Sequence, residues 1–415
     1  MKKVLMIFVV FLFLVSCQSA ENKDNKLKSD HEIILQDELD IALDKLNQFS
    51  YRTSEMYFNS DVEQNAAYSP LSLFYNLAML RFVTKNNSYK EISDALSMNQ
   101  SDIETIVKNY KNNKTFYGDE ITEINGNQLE TIKEGFFGLD NSVWLKDKLH
   151  INTTVLPNLI NLFQAKVFKT DFSDKKSVED YLQNFFGDLD IIMPEFDPGT
   201  LMVLMNLLCL KDVWSKGKLR STEEYMFEGQ RTKMLLGNYE DGRAFEGDRY
   251  KSFYITTKNG FKLSFILPKD EYNLNQVLNA KTIKEVVTAE HTISSGNTFY
   301  QTRCIFPAFQ VSSSTSIKDL CQKLGIQTPF QSSLDFSIFQ DMEAQISDIQ
   351  QNIYIDVQQD GIAAGAITYT SIYGDSNMKK KEYEDFVVDR PFGFLITENE
   401  TDIVLFSGVI QNINK

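Results

Sequence analysis

Histidine is scarce in this chain, with only His31, His150 and His291 among 415 residues. No two lie within helical reach of each other, which excludes the paired ligands of an H-E-x-x-H zinc site. There is no G-x-S-x-G elbow, no P-loop and no G-x-G-x-x-G turn, so the common hydrolase, nucleotide and dinucleotide signatures are missing. Each histidine therefore reads as a surface or satisfied polar residue. Cysteine is nearly as sparse, with four residues, Cys17, Cys209, Cys304 and Cys321. None has the C-x-x-C spacing of a metal or redox site. The last three sit in apolar runs (LLCLK, RCIF, DLCQKL) and are expected as buried free thiols. Positive charge is in deficit, 42 Lys and Arg against 57 Asp and Glu, for a net charge of −15. Such a surface repels nucleic acid and anionic membranes, and otherwise serves solubility. Carboxylates are plentiful but no pair stands out, so a secreted hydrolase with a carboxylate site stays open. Neither a cofactor nor a metal is implied.

Aromatic residues are present in excess, 31 Phe and 18 Tyr, within a chain that is 42% hydrophobic. That is enough for a large core. The first residues, MKKVLMIFVVFLFLVSC, place Lys2 and Lys3 before an apolar run too short to span a membrane comfortably, as in a secretory signal. Leu14-Val15-Ser16-Cys17 resembles the bacterial lipobox, which implies cleavage before Cys17 and diacylation of its thiol. Residues 1–17 are thus expected to be a lipoprotein signal peptide, with the alternative of an ordinary signal whose cysteine is incidental. Residues 18–30 are polar and aperiodic, as suits a flexible tether. The expected location is the bacterial envelope, on the periplasmic face or the cell surface, with the lipid as the membrane attachment.

The remainder, 31–415, has no Pro/Gly-rich linker and no internal repeat, and reads as one mixed α+β domain. Leu39, Ala42, Leu43, Leu46 and Phe49 predict an amphipathic helix within about 30–58. SPLSLFYNLAML, Ser69–Leu80, predicts a helix with a Ser cap and a first-turn Pro, apolar on nearly every side and so buried. Ser88–Glu91 has capping-box spacing, and Ser316–Gly325 has a Ser cap and a Gly stop. Strand-like runs include FFGLDNSVWL, LMVLMNLLCL, SFYITT, FKLSFILP, QNIYIDV and the pair PFGFLI and IVLFSGVI.

One stretch fits neither a core strand nor a solvated loop. In DVQQDGIAAGAITYTSIYGD, Asp356–Asp375, no charge occurs from Gly361 to Tyr373, yet the side chains are too small to bury much area. Six runs explain it together. AAYSPLSLFYNLAML, DNSVWLKDKLHI, LMVLMNLLCLKDVWSKGK, CIFPAFQVSSSTSIKDLCQKLGIQTPF, QNIYIDVQQDGIAAGAIT and DRPFGFLITENETDIVLFSGVI occur in the order of the serpin pattern. From about residue 35 to Asn412 the chain resembles a serpin. The resemblance implies a large central β-sheet, two smaller sheets, several helices and an exposed reactive-centre loop, about 359–385. It implies no enzyme. The activity would be suicide inhibition of serine, or cysteine, proteases through a covalent acyl complex, with the cleaved loop inserting into the large sheet. A monomer is expected. The alternative within the family is a non-inhibitory binding or carrier module.

The hinge would be Gly361, Ile362, Ala363, Ala364, Gly365, Ala366, Ile367 and Thr368. In a strand, Ile362, Ala364, Ala366 and Thr368 would face one way and Gly361, Ala363, Gly365 and Ile367 the other. All are uncharged, as a buried strand requires. Ser69, Ser72 and Asn206 match the family's polar cluster beneath the sheet opening, with Gln351 at the family's histidine. Trp214 matches the tryptophan at the top of the sheet. The family's Glu–Lys bridge beside the hinge would fall at Gln359 and Ala308, so both charges are missing together. The scissile bond stays open. Counting forward from Gly361 reaches Asp375–Ser376, within a window Tyr373, Gly374, Asp375 and Ser376. Counting back from Pro391 reaches Lys380–Lys381, in a run with Lys379 that suits trypsin-like enzymes.

Overall fold

The computed structural model describes residues 36–413 apart from 60–63, 114–115, 118–119, 126–127, 134, 174, 187–194, 197–198, 241–242, 290–301, 340 and 363–383. Cys17, His31 and His291 therefore lie outside the described residues, as do the signal and tether segments.

Apolar spacing builds the first helix as expected. Residues 36–58 are helical, and Ala42, Leu43, Leu46 and Phe49 are buried along one face. The Pro70–Phe82 helix begins at Ser69, whose Oγ accepts the Ser72 amide at 3.2 Å while Pro70 occupies the first turn. Nearly every side chain of this helix is buried, so it runs behind the largest sheet as a core element.

That sheet has seven strands. Across it run Phe309–Ser316, Gln350–Val357, Gly361–Ile362, Met202–Val213, Gly135–Lys146 and Phe116–Tyr117, with Lys166–Thr170 parallel to Gly135–Lys146. A six-stranded sheet joins Ala66–Tyr68, Val404–Ile410, Phe392–Glu398, Phe261–Pro268, Tyr250–Thr256 and Ala244–Glu246. A four-stranded sheet joins Glu384–Val387, Thr302–Pro307, Met234–Tyr239 and Arg220–Thr222. This is the expected plan of one large and two smaller sheets. The Lys176–Phe186 helix covers the other face of the large sheet, where Trp144, Phe172, Val178, Leu182 and Leu207 form a second apolar cluster.

Two local expectations need correction. Ser88 caps nothing: the Asn86–Leu96 helix starts after Lys85. Asp335, remote in sequence, takes the Ser88 amide and hydroxyl at 3.0 and 3.2 Å. Glu91 is drawn away to the amides of Gln327 and Thr328 at 2.8 and 2.7 Å. Likewise Ser316 ends a strand, and the following helix, Lys318–Lys323, is preceded by Ile317. The Gly stop holds, since Gly325 has φ +95°.

Candidate functional site

The Gln350–Val357 strand ends in a turn closed by the Gln358 amide donating to the Gly361 carbonyl at 3.0 Å. The chain then re-enters the large sheet at Gly361 and Ile362. Ile362 faces Val357 on one side and Asp212 on the other, and Gly361 faces Val213. Both are buried. Glycine is obligatory at 361, because a Cβ there would overlap the Asp212 carbonyl.

Several contacts fix this turn against the chain after the Met202–Val213 strand. The Trp214 indole, 2% exposed, donates to the Gln358 carbonyl at 3.0 Å. The Trp214 amide donates to the Asp360 carbonyl at 3.1 Å. Gln359 and Leu219 bond twice, Leu219 N–H to the Gln359 carbonyl at 2.8 Å and Gln359 Nε2 to the Leu219 carbonyl at 3.1 Å. Lys218 Nζ lies 3.1 and 3.5 Å from the two Asp360 carboxylate oxygens. So Gln359 is held by two bonds without a charge, and Ala308 packs half-buried against the core. Sequence reasoning missed Lys218 and Asp360. Their only signal is opposite charge, and 142 positions separate them.

Below the hinge the two long strands part around a cleft of about 610 Å³. Leu204, Asn206, Leu208 and Leu210 line one wall and Gln351, Ile353 and Ile355 the other. Ser69, Ser72 and Asn76 of the buried helix form the floor.

The expected polar cluster is present but divided. Ser69 and Gln351 bond reciprocally: Gln351 Nε2 donates to the Ser69 carbonyl at 2.8 Å, and the Ser69 amide to Gln351 Oε1 at 3.1 Å. Ser69 Oγ donates to the Leu405 carbonyl at 2.7 Å, and Ser72 joins through its amide. Asn206 belongs to the opposite wall. Its Nδ2 donates to Asn141 Oδ1 at 2.9 Å, and Asn141 Nδ2 donates to the Phe163 carbonyl at 3.0 Å. Among the described residues Asn206 Oδ1 is buried without a partner, as is Asn76 Oδ1.

Two carboxyls flank the hinge. Asp212, 1% exposed, accepts the Asn259 amide at 3.0 Å and Asn259 Nδ2 at 2.7 Å, yet burial raises its pKa above the ordinary carboxylate range. Burial raises Asp356 likewise, although Gln358 Nε2 donates to it at 2.7 Å. Cys209, Cys304 and Cys321 are buried and free. Burial pushes the Cys209 and Cys321 thiols up to about 12 and Cys304 well above its usual value, so none is a ready nucleophile. Among the described residues no group of three or more His, Cys, Asp and Glu is placed to hold a metal ion.

The sequence profile described as "Serpin (serine protease inhibitor)" matches residues 44–413. The chain belongs to the serpin family. It is similar to human Serpin I2, at 23% identity over 84% of this chain and 86% of that one. Among solved structures it resembles tengpin, a thermophilic serpin, in the native state: TM-score 0.71, 20% identity, 89% of this chain and 94% of that one. It also resembles human thyroxine-binding globulin complexed with thyroxine, with TM-score 0.69, 19% identity, and 89% of this chain against all (100%) of that one. Serpins are generally protease inhibitors rather than enzymes. In this serpin the structure brings Gly361, Ile362 and Trp214 to the head of one sheet opening, with Gln351, Ser69, Ser72 and Asn206 below. Ala363 to Thr368, the window Tyr373–Ser376 and the run Lys379–Lys381 lie outside the described residues.

Proposed function

We propose that this serpin is a suicide-substrate inhibitor of serine proteases. The observation that carries the reading is the hinge strand Gly361–Ile362, paired with Met202–Val213 and, at Ile362, with Gln350–Val357 at the head of the cleft between those strands. Carried forward in the same register, Ala364 would face Ile355 and Leu210, Ala366 would face Ile353 and Leu208, and Thr368 would face Gln351 and Asn206. The walls are apolar where the loop offers alanine and polar where it offers threonine. This pattern also assigns the faces: Ile362, Ala364, Ala366 and Thr368 go to the helix side.

In the reaction the protease serine Oγ attacks the carbonyl carbon of the scissile residue. The amine of the next residue departs with a proton, leaving an acyl ester. The freed strand then adds to the sheet before water reaches the ester, which is strand addition within one chain. We place the cut within Tyr373–Ser376, in preference to Lys380–Lys381. The target protease is the partner, bound to a monomeric serpin, with cysteine proteases as a second class. We further propose that residues 1–17 are a lipoprotein signal and that diacylated Cys17 anchors the protein to a bacterial envelope membrane, with 18–30 as tether.

Incubation with a serine-protease panel tests the inhibitory reading. A covalent complex on a denaturing gel and a sharply more heat-stable cleaved form are expected. Thyroxine-binding globulin, which holds a small molecule on this fold, supports a second reading, a carrier. Cleavage that leaves thermal stability unchanged would favour it.

A further inference from the structure

Between the Gln100–Asn113 helix and the Gly135–Lys146 strand the chain makes a two-stranded hairpin, Glu120–Asn125 with Gln128–Lys133. The hairpin belongs to none of the three sheets described above, and among the described residues neither of its strands pairs with a third. We propose that this hairpin is a docking surface for the protease that attacks the reactive loop, and that it favours enzymes whose surface beside the active site is basic. The inference rests on the reading above of the loop as the target of a protease.

Position comes first. Asp212 pairs with Gly135 on one side and with Ile362 on the other. Neighbouring strands lie about 4.8 Å apart, so the roots of the hairpin and of the loop stand roughly 10 Å from each other at one end of the large sheet. Six residues in each strand give the hairpin a length of about 20 Å. A hairpin of that length rooted there reaches an enzyme engaged on the loop. Charge supplies the chemistry. Residues 118–134 hold five carboxylates, Asp119, Glu120, Glu123, Glu130 and Glu134, against one base, Lys133. Glu120 is directly across from Lys133, but Glu123 is directly across from Glu130. Like charges so placed weaken a hairpin, and a two-stranded hairpin by itself is only marginally stable in water. Lysine or arginine from a partner would turn that repulsion into attraction. The pairs Ile121–Ile132 and Ile124–Leu129 set apolar residues on either face. A carboxylate pair bordered by apolar residues suits a basic protein surface. A second copy of this chain, with its net charge of −15, is a poor occupant.

The test uses full-length protein with cationic and anionic trypsin, two enzymes of one cleavage specificity and opposite net charge. The second-order rate of loop cleavage is read over a range of salt concentrations, together with the number of inhibitors cut per enzyme trapped. Glu123→Gln combined with Glu130→Gln should lower the rate for cationic trypsin on the order of fivefold at low salt, with the difference vanishing near about 1 M, where the Debye length is about 3 Å. Anionic trypsin should show no such loss. The number cut per enzyme trapped should stay the same for both, because docking precedes the choice between trapping and hydrolysis. Glu130→Lys sets opposite charges across the hairpin and strengthens it, so an equal or larger loss there shows that charge and not unfolding is responsible. The control, Asp319→Asn with Asp341→Asn, changes the overall charge equally at exposed positions beyond the Ser316–Gln350 pair, at the far end of the large sheet, and should leave the rate unchanged. The proposal is overturned if hairpin and control variants slow cationic trypsin equally, or if neither hairpin variant slows it. It is overturned too if the hairpin variants alter the sedimentation of the serpin alone, which would make the hairpin a contact between copies. If wild-type protein is cut with this charge dependence but traps neither enzyme, the inhibitory reading falls and the docking surface stands. If neither enzyme cuts the loop, both fall.

Discussion

Replacing Thr368 by Val should weaken the cleaved form and leave the intact form unchanged. The two side chains are nearly equal in volume, so the substitution removes a hydroxyl and little else. Continued from Ile362, the register sets Thr368 in a row that already contains four polar residues on the helix side of the sheet. Asn141 faces Asn206 on one flank, and Gln351 faces Thr315 on the other. Among the described residues Asn206 Oδ1 is buried and has no partner. A hydroxyl arriving between Asn206 and Gln351 would satisfy it. A buried acceptor left unsatisfied costs about 1–3 kcal/mol. Thr368→Val should therefore destabilise the inserted state by about 2 kcal/mol, with no change before cleavage. The assay is guanidinium unfolding of intact protein and of protein nicked within Lys379–Lys381. A lower midpoint is expected for the nicked variant alone. A double-mutant cycle with Asn206→Ala should show coupling only after nicking, since residues in one hydrogen-bonding row are not additive. Ala366→Thr, which would meet Ile353 and Leu208, should not compensate. Equal effects on both forms, or none on the nicked form, would refute the register.

Ala364→Arg should convert the inhibitor into a substrate, cut at the normal rate but forming no stable complex on a gel, because the arginine would enter the apolar row between Ile355 and Leu210. Asp356→Asn should raise the melting temperature at pH 7.5 and make no difference below about pH 4. Burial raises the folded-state pKa of Asp356, so its favourable contribution is present below the ordinary carboxylate value and is lost as pH rises through the raised one. Cys17→Ala should abolish partitioning into detergent by the expressed protein, if the acylated thiol is the anchor. Enzymes cutting at Tyr373–Ser376 should approach one inhibitor per enzyme, whereas trypsin cutting at Lys380 should consume more; titration with mass-spectrometric mapping of the cut decides between the two counts.

The elements that were legible in the sequence are those whose cause is local. The Pro70–Phe82 helix declares itself through a Ser cap, a first-turn Pro and an unbroken apolar run. The long strands declare themselves through apolar runs between turns. Errors came where a distant side chain overrides a local pattern. Ser88 and Glu91 have the spacing of a capping box, but Asp335 and the amides of Gln327 and Thr328 compete for them and win. The site follows the same division. Gly361 and the uncharged hinge are visible because composition carries the signal. At Gln359 the sequence shows a missing charge, while the structure shows two bonds to Leu219. The hold of Lys218 on Asp360 could not be read at all, since its partners meet only when the hinge folds back beside Trp214.

Chain length sets a limit on insertion of the uncut loop into the cleft. The Met202–Val213 strand offers partners for residues 363–372, ten positions or roughly 33 Å of strand. The next described residue after the loop is Glu384, which pairs beside Thr302 in the four-stranded sheet. That strand is held further by Arg303, whose Nε and Nη2 donate to the two Asp385 oxygens at 2.8 and 2.5 Å. Full insertion without a cut would leave only residues 373–383 to return from the far end of the cleft. Eleven residues reach at most about 40 Å when fully extended, and the return leg along the sheet alone takes most of that before the chain arrives at Glu384. The uncut chain can thus fill the cleft only by tearing Glu384–Val387 from Thr302–Pro307. Cleavage at Asp375–Ser376 removes this tether and leaves three residues beyond the ten that pair, so the acyl-linked protease is drawn close against the end of the sheet. Cleavage at Lys380–Lys381 leaves eight, roughly 26 Å of slack. The same tether that resists insertion of the uncut chain would therefore also select which bond, once cut, converts insertion into a tight trap.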